Sequence, residues 1–205
     1  SVGESPKKYL PLPPSALLEY LSQSHKDKLN NLEDAFKNVE IEDKFTDFWH
    51  LHGYRNIMLK MKELINNANK KIIISGWKRE FSECKKQLMS AKKRGVRCTI
   101  FSFTEVDEKL GKIVSYDLDE DELRKIWTPK IIMVVDQSHT LMGSAQSVEQ
   151  SKAILTQNKA ISEIAMNHII LDITLAGQRL GFDSTKYVKD IMRNPAEDLQ
   201  SLLRT

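Results

Sequence analysis

The chain has 205 residues, 40% of them apolar, with 8 Gly, 6 Pro and 2 Cys, and its 31 basic side chains exceed its 28 acidic ones to leave +3 at neutral pH. That length suits one domain, or one domain with an appendage, and the composition excludes collagen-like, low-complexity and disordered classes. No uninterrupted apolar run approaches the ~20 residues of a membrane span, and no signal-peptide pattern opens the chain. Two cysteines, Cys84 and Cys98, cannot build a disulfide framework. A soluble chain in a reducing, cytoplasmic setting is the expectation, with no cofactor and no metal. The net charge is too small to argue nucleic-acid binding by itself. A start at Ser1 without a methionine fits a piece of something longer.

Four of the six prolines (Pro6, Pro11, Pro13, Pro14) fall in the first fourteen residues and predict an extended lead-in. From Ser15 to about Val39 the pattern predicts a long polar helix. Its apolar positions Leu18, Leu21, Leu29, Leu32, Phe36 and Val39 are spaced 3, 8, 3, 4 and 3, with His25 between Leu21 and Leu29. That narrow seam with charged flanks reads either as a coiled-coil stripe or as one helix lying on its own domain.

The body begins near Phe45-Thr46-Asp47-Phe48-Trp49. Gly53 precedes an amphipathic helix with Ile57, Met61, Leu64, Ile65 and Ala68 on one face. Lys71 to Gly76, a β-branched run, predicts a buried strand. Phe81, Cys84, Leu88 and Ala91 then mark a helix closed by Lys92-Lys93-Arg94-Gly95, basic residues and a glycine suited to a helix C-terminus. Val96 to Phe103 is the next strand, parallel to the first because a helix crosses between them.

Lys112 to Leu118 predicts a strand, and Asp119-Glu120-Asp121-Glu122 a solvated turn. Ile131–Asp136 and Thr140–Gly143 form a hairpin around Gln137-Ser138-His139. Ala153–Thr156 is a further strand. Asn158 caps a helix that Gly181 ends. One stripe of that helix holds Ile161, Ile164, His168, Leu171 and Leu175; the next holds Ala165, Ile169, Ile173 and Ala176. So wide an apolar arc must be covered on more than one side. Tyr187, Val188, Ile191 and Met192 form a short helix, and Asn194-Pro195 can start a last one with Leu199, Leu202 and Leu203. The division is thus 1–44 (lead-in and linker helix), 45–180 (an α/β body) and 181–205 (a helical extension).

The segment Asp136 to Gln146 resembles the second half of the phospholipase D signature, H-x-K-x4-D-x6-G-S-x-N. In that superfamily the histidine is nucleophile or acid and the lysine binds phosphate. Counting back from Asp136, the lysine position holds Ile131 and the histidine position Pro129; Gln146 stands at the asparagine position. Neither proline nor isoleucine donates to phosphate or takes up a proton. Lys130 is one residue out of register, on the opposite strand face. No second H-x-K copy occurs in residues 1–125. A mixed phospholipase D-like sheet flanked by helices, without catalysis, is therefore expected.

Other candidates have bland readings. His50-x-His52 lacks an evident third metal ligand and reads as two histidines of a loop. His168 and Asp172, four apart, share a helix face as a buried polar pair or a dyad without a nucleophile. Cys84 and Cys98 read as small buried hydrophobes. Lys85, Lys86, Lys92, Lys93 and Arg94 read as a solvated helix face.

The order of Phe48–Ile57, Lys71–Trp77, Ala91–Val96, Ile132–Asp136 and Ala153–Asn158 before a long helix resembles the regulator domain of the TrmB family of transcriptional regulators, over about residues 9–180. The resemblance implies a homodimer with Leu18, Leu21, Leu29, Leu32, Phe36 and Val39 at the dimerising seam. It implies a non-catalytic effector-sensing body, often for a sugar, and a DNA-binding winged helix-turn-helix that residues 1–40 do not contain. The family's sugar-binding members carry a further β-rich domain, for which residues 181–205 are too short. Ligands of open α/β sheets sit beyond the carboxyl ends of the strands. That places a small polar metabolite or sugar near Ser75, Trp77, Ser102, Phe103 and Thr104, with Ser144, Gln146 and Thr156 close by. The alternatives are a divergent phosphodiester hydrolase using His139 or His168, and a partner-binding module with a vestigial pocket.

Overall fold

The computed structural model describes residues 13–37, 48–146 and 150–192. They form two units, residues 1–45 and 46–205. Among its described residues the first holds one helix, α1 (Pro14–Lys37), which begins one residue earlier than the seam suggested, with Pro14 in the first turn, where its missing N–H costs nothing. Leu18, Leu21, Leu29 and Leu32 are all exposed. The Phe36 side chain, Val39 and the helix expected after Asn194 lie outside the described residues.

The second unit is a seven-stranded mixed sheet flanked by helices, in the order β1-β7-β6-β5-β2-β3-β4. Its elements are β1 (Phe48–His52), α2 (Tyr54–Asn67), β2 (Lys71–Gly76), α3 (Lys78–Lys93), β3 (Arg97–Thr104), β4 (Lys112–Leu118), α4 (Glu120–Ile126), β5 (Lys130–Val135), β6 (His139–Ser144), β7 (Lys152–Thr156), α5 (Lys159–Leu180) and α6 (Thr185–Ile191). The strands β2, β3 and β4 are parallel, and every pairing from β2 through β5, β6 and β7 to β1 is antiparallel. Strand alternation splits the core in two. Ile72, Ile74, Ile100, Ile131 and Met133 pack with α2 and α3. Ile73, Phe101, Val114 and Val134 pack with α5 and α6.

Most local expectations match these elements, and three differ. His50 and His52 stand on an edge strand, β1, paired with β7, not in a loop. The acidic run is the first turn of α4: Asp119 accepts from the N–H groups of Asp121 and Glu122, and carboxylates favour that positive helix end. Only one stripe of α5 is covered: Ala165, Ile169, Ile173 and Ala176 are buried, whereas Ile164 is 62% and Leu171 66% exposed. Asn158 and Gly181 cap α5 as expected. Polar residues interrupt every apolar run in it, yet by length and composition α5 is apolar enough to cross a membrane, with 39% of its most apolar stretch buried.

The β5–β6 turn places Asp136 and Gln137 at φ 51° and 59°, the left-handed pair of a tight hairpin. Gly143 on β6 has a spatial reason: a Cβ there would stand 2.2 Å from the Lys152 carbonyl oxygen and 2.5 Å from the Ala153 Cα. Only glycine lets β6 and β7 approach this closely.

Candidate functional site

The carboxyl ends of β2 and β3 open onto a cavity of about 440 Å³ on the α5 side of the sheet. Side-chain alternation and pairing build it. Ser75 and Phe103 point to the α5 face, and Ile132, paired with Ser75, points the same way. Trp77 follows β2. Trp127 and Thr128, between α4 and β5, close one side, and His168 and Asp172 of α5 close the other. Three aromatic rings thus wall the space. Phe103 meets Trp127 edge-on at 4.9 Å and stacks on Tyr116 at 5.7 Å. The Arg124 guanidinium lies 5.6 Å from the Trp77 ring, behind that wall. The volume suits a small metabolite, and rings with a few polar groups are the usual lining of such a site.

The polar groups have distinct electrostatics. His168 Nε2 lies 3.5 Å from Asp172 Oδ2, and the histidine side chain is 58% exposed, so this is a rim pair and not the buried pair expected. Burial pushes the Asp172 carboxyl above its ordinary range, with His168 working against that. Lys130 is exposed at the mouth and in no ion pair among the described residues.

Of the eight residues assigned to an effector, Ser75, Trp77 and Phe103 come together here. Ser102 and Thr104 alternate to the other face. The Ser102 hydroxyl meets Thr104 Oγ1 at 3.2 Å, and Thr104 Oγ1 accepts from the Lys78 N–H at 2.7 Å. They fasten the start of α3. Ser144 bonds β7 at Lys152 and lines an adjoining depression. Gln146 reaches Thr128 Oγ1 at 3.3 Å. Thr156 is at the wrong end of the sheet: it pairs with Thr140, while Ser144 pairs with Lys130, because β7 runs antiparallel to β6. Its hydroxyl accepts from the Asn158 N–H and helps start α5. Trp127, Thr128, His168 and Asp172 were missed as a group. The available signal was an indole two residues before the Pro129-Lys130 strand start.

The opposite face holds what stands at the signature positions. Pro129 and Ile131 are buried, and Ile131 packs in the α2–α3 core. Arg79 donates to the carbonyls of Ala145 and Gln146, lies 4.2 Å above the Tyr54 ring, and donates to Glu80 Oε1 at 2.9 Å. Glu80 is fully buried and also accepts from the Trp77 N–H at 3.3 Å. Burial raises the Glu80 pKa and Arg79 opposes the rise. The signature aspartate, Asp136, accepts from the backbone N–H groups of Asn69, Lys70 and Lys71 at 2.8–2.9 Å. It ties the β5–β6 turn to the start of β2, and those three donors hold its carboxyl below the usual aspartate range against its partial burial.

The model of the family described as transcriptional regulator TrmB, EBD N-terminal subdomain, matches residues 47–171. The chain belongs to the TrmB family of transcriptional regulators. It is also similar to the uncharacterized protein YrhO of Bacillus subtilis (strain 168), 23% identical over 176 residues, which are 85% of this chain and 64% of YrhO. The chain therefore spans less than two thirds of that relative. Among solved structures, the archaeal chromatin protein TrmBL2 is 16% identical, with TM-score 0.45 over 78% of this chain and 68% of its own. NucT from Helicobacter pylori is 11% identical, with TM-score 0.43 over 60% and 93%. Nuc, a phospholipase D family member from Salmonella typhimurium, is 16% identical, with TM-score 0.41 over 60% and 91%.

The remaining candidates have structural roles or contacts. Cys84 and Cys98 are buried, and burial pushes their thiols up to about 12 and about 11, away from reactive thiolate. Lys85 pairs with Asp107 at 2.8 Å and Arg94 donates to the Ile65 and Ala68 carbonyls, so these basic residues of the α3 surface serve local contacts. No cluster of three metal-ligating side chains occurs among the described residues.

Proposed function

We propose that this chain is the effector-sensing and dimerising part of a TrmB-family regulator, working without catalysis and controlling a DNA-reading winged helix-turn-helix outside residues 1–205. The observation that carries the reading is the aromatic-walled cavity at the strand ends, in a chain whose phosphate-handling positions are Pro129 and Ile131. Ser75, Trp77, Phe103, Trp127, His168 and Asp172 would hold a small polar metabolite: rings against its C–H faces, hydroxyl, imidazole and carboxylate to its polar edge. Dimerisation would run along the exposed α1 seam of Leu18, Leu21, Leu29 and Leu32, with Phe36 and Val39 next in the sequence spacing. A ligand can bias the dimer only through its differential affinity for two arrangements. The hydrolase alternative draws no support from its two histidines. His139 pairs with Val135 at one end of the hairpin, and His168 lines the cavity by Ser75 at the other.

The test is thermal unfolding of the full chain against a panel of neutral sugars, polyols and amino acids, with sedimentation of the same samples. At least one compound is expected to raise the Tm of the wild type and not of Trp127→Ala, and a ligand at a hundred times its Kd adds about 2.7 kcal/mol. The wild type is expected to sediment as a dimer that Leu21→Glu with Leu29→Glu dissociates. No stabilising compound would remove the sensing role, and a monomeric wild type at high micromolar concentration would remove the dimer.

A further inference from the structure

Beside the aromatic cavity, on the same sheet face, β5, β6, β7 and β1 form a second depression of about 460 Å³. Strand register arranges its floor in two rows. Ile132, Met142 and Ile154 pair across successive strands and make an apolar row. The row next to it, toward the strand ends, carries Lys130 on β5 and, beyond Ser144, Lys152 paired with His52 on β1. At ~4.8 Å strand spacing the three-strand apolar row spans roughly 10 Å, with His50 next to Ile154 on β1, and the four-strand polar row spans roughly 14 Å.

The charge of this depression is one-sided. Among the described residues, two lysines and two histidines line it and no aspartate or glutamate does. Lys130 and Lys152 are exposed, and neither is in an ion pair among the described residues. Lysines elsewhere on the chain do both: Lys60, Lys62 and Lys78 pair with Glu63, Glu83 and Glu105, while Lys86 and Lys93 are in no ion pair among the described residues. An apolar strip bordered by unpaired cations complements a molecule with an apolar body and one anionic end. A sugar has no apolar body of that length, and an acidic peptide would leave the apolar row in water.

We infer that this depression binds a free medium-chain carboxylic acid, its alkyl chain along Ile132, Met142 and Ile154 and its carboxylate between Lys130 and Lys152. The site is distinct from the aromatic cavity, although Thr128, Lys130 and Ile132 border both. It does not depend on the effector reading of that cavity.

The test is calorimetric titration of the full chain with sodium octanoate, with 1-octanol and phosphatidylglycerol vesicles as comparators. Octanoate is expected to bind saturably at one site and at least tenfold more tightly than octanol. Lys152→Gln and Lys130→Gln should each weaken it several-fold, while Lys86→Gln, an exposed lysine of α3, leaves it unchanged. Absence of octanoate binding, equal binding of octanol, or binding to the vesicles alone overturns the inference. A sugar that raises the Tm through Trp127 has no bearing on these outcomes, so the two readings fail separately.

Discussion

Replacing Arg79 with methionine is expected to destabilise the chain by about 3 kcal/mol at neutral pH, measured by urea unfolding. Methionine keeps some bulk over the Tyr54 ring but strands the Glu80 carboxylate, whose side chain is fully buried. Removing one partner of a buried ion pair typically costs 3–5 kcal/mol. The lower end applies because Arg79 is 35% exposed and the Trp77 N–H still serves Glu80. The pH dependence has a definite sign. The Glu80 pKa is already raised by burial, and losing Arg79 raises it further. Between the ordinary glutamate value and the raised one, the folded chain holds its proton more tightly than the unfolded chain. Stability in that window therefore falls as pH rises. The deficit of Arg79→Met should be smaller at pH 5 than at pH 8, and adding Glu80→Gln should recover part of it. A variant within about 0.5 kcal/mol of wild type at both pH values would show that the pair is not needed to hold this face together.

Asp136→Ala is expected to cost about as much, roughly 3 kcal/mol, for a different reason. One carboxylate satisfies three backbone donors at the start of β2, and hydrogen bonds to charged groups contribute about 1.5–3 kcal/mol each before allowance for solvent. The site is only partly buried, so water rescues some of the loss. Here the folded pKa is depressed. The stabilisation is complete above the ordinary aspartate value and is lost as pH falls through the lower folded one. Wild type and variant should differ most near pH 7 and converge in acid, in unfolding curves collected down to about pH 2.5. A gap that stays constant over that range would mean that the carboxylate's charge contributes nothing.

These two residues also mark where sequence patterns stop being informative. The strand β2, the helix α3 and the strand β3 were legible because a β-branched run, 3-4-3 apolar spacing and a closing glycine are local signals. The hairpin and the two caps of α5 were legible for the same reason. The strand β1 was not: Phe48-Trp49-His50-Leu51-His52 is largely exposed on an edge, so alternation leaves no buried face to read. The helix α4 is seven residues long and was obscured by its own acidic first turn. Asp136 was recognised as part of a signature, but its three donors come from residues 65 to 67 positions earlier. Arg79 and Glu80 look like ordinary charges at a helix start, and only the fold sets Arg79 against Tyr54 and the Ala145 carbonyl and buries the Glu80 carboxylate beside it. The candidate cavity was half legible. The rule about strand ends found Ser75, Trp77 and Phe103, while Trp127, His168 and Asp172 arrive from elements whose placement depends on the whole sheet.

At the sites where the signature would put catalytic groups, this chain has packing: Ile131 in the core, Pro129 buried, Arg79 bound to the loop carbonyls, and Asp136 fastened to backbone donors. Steady-state hydrolysis of bis(4-nitrophenyl) phosphate by the full chain tests that substitution most directly. The expected result is no release of nitrophenolate above the buffer rate, for wild type and His168→Gln alike. Turnover by the wild type that His168→Gln or His139→Gln abolishes would contradict it.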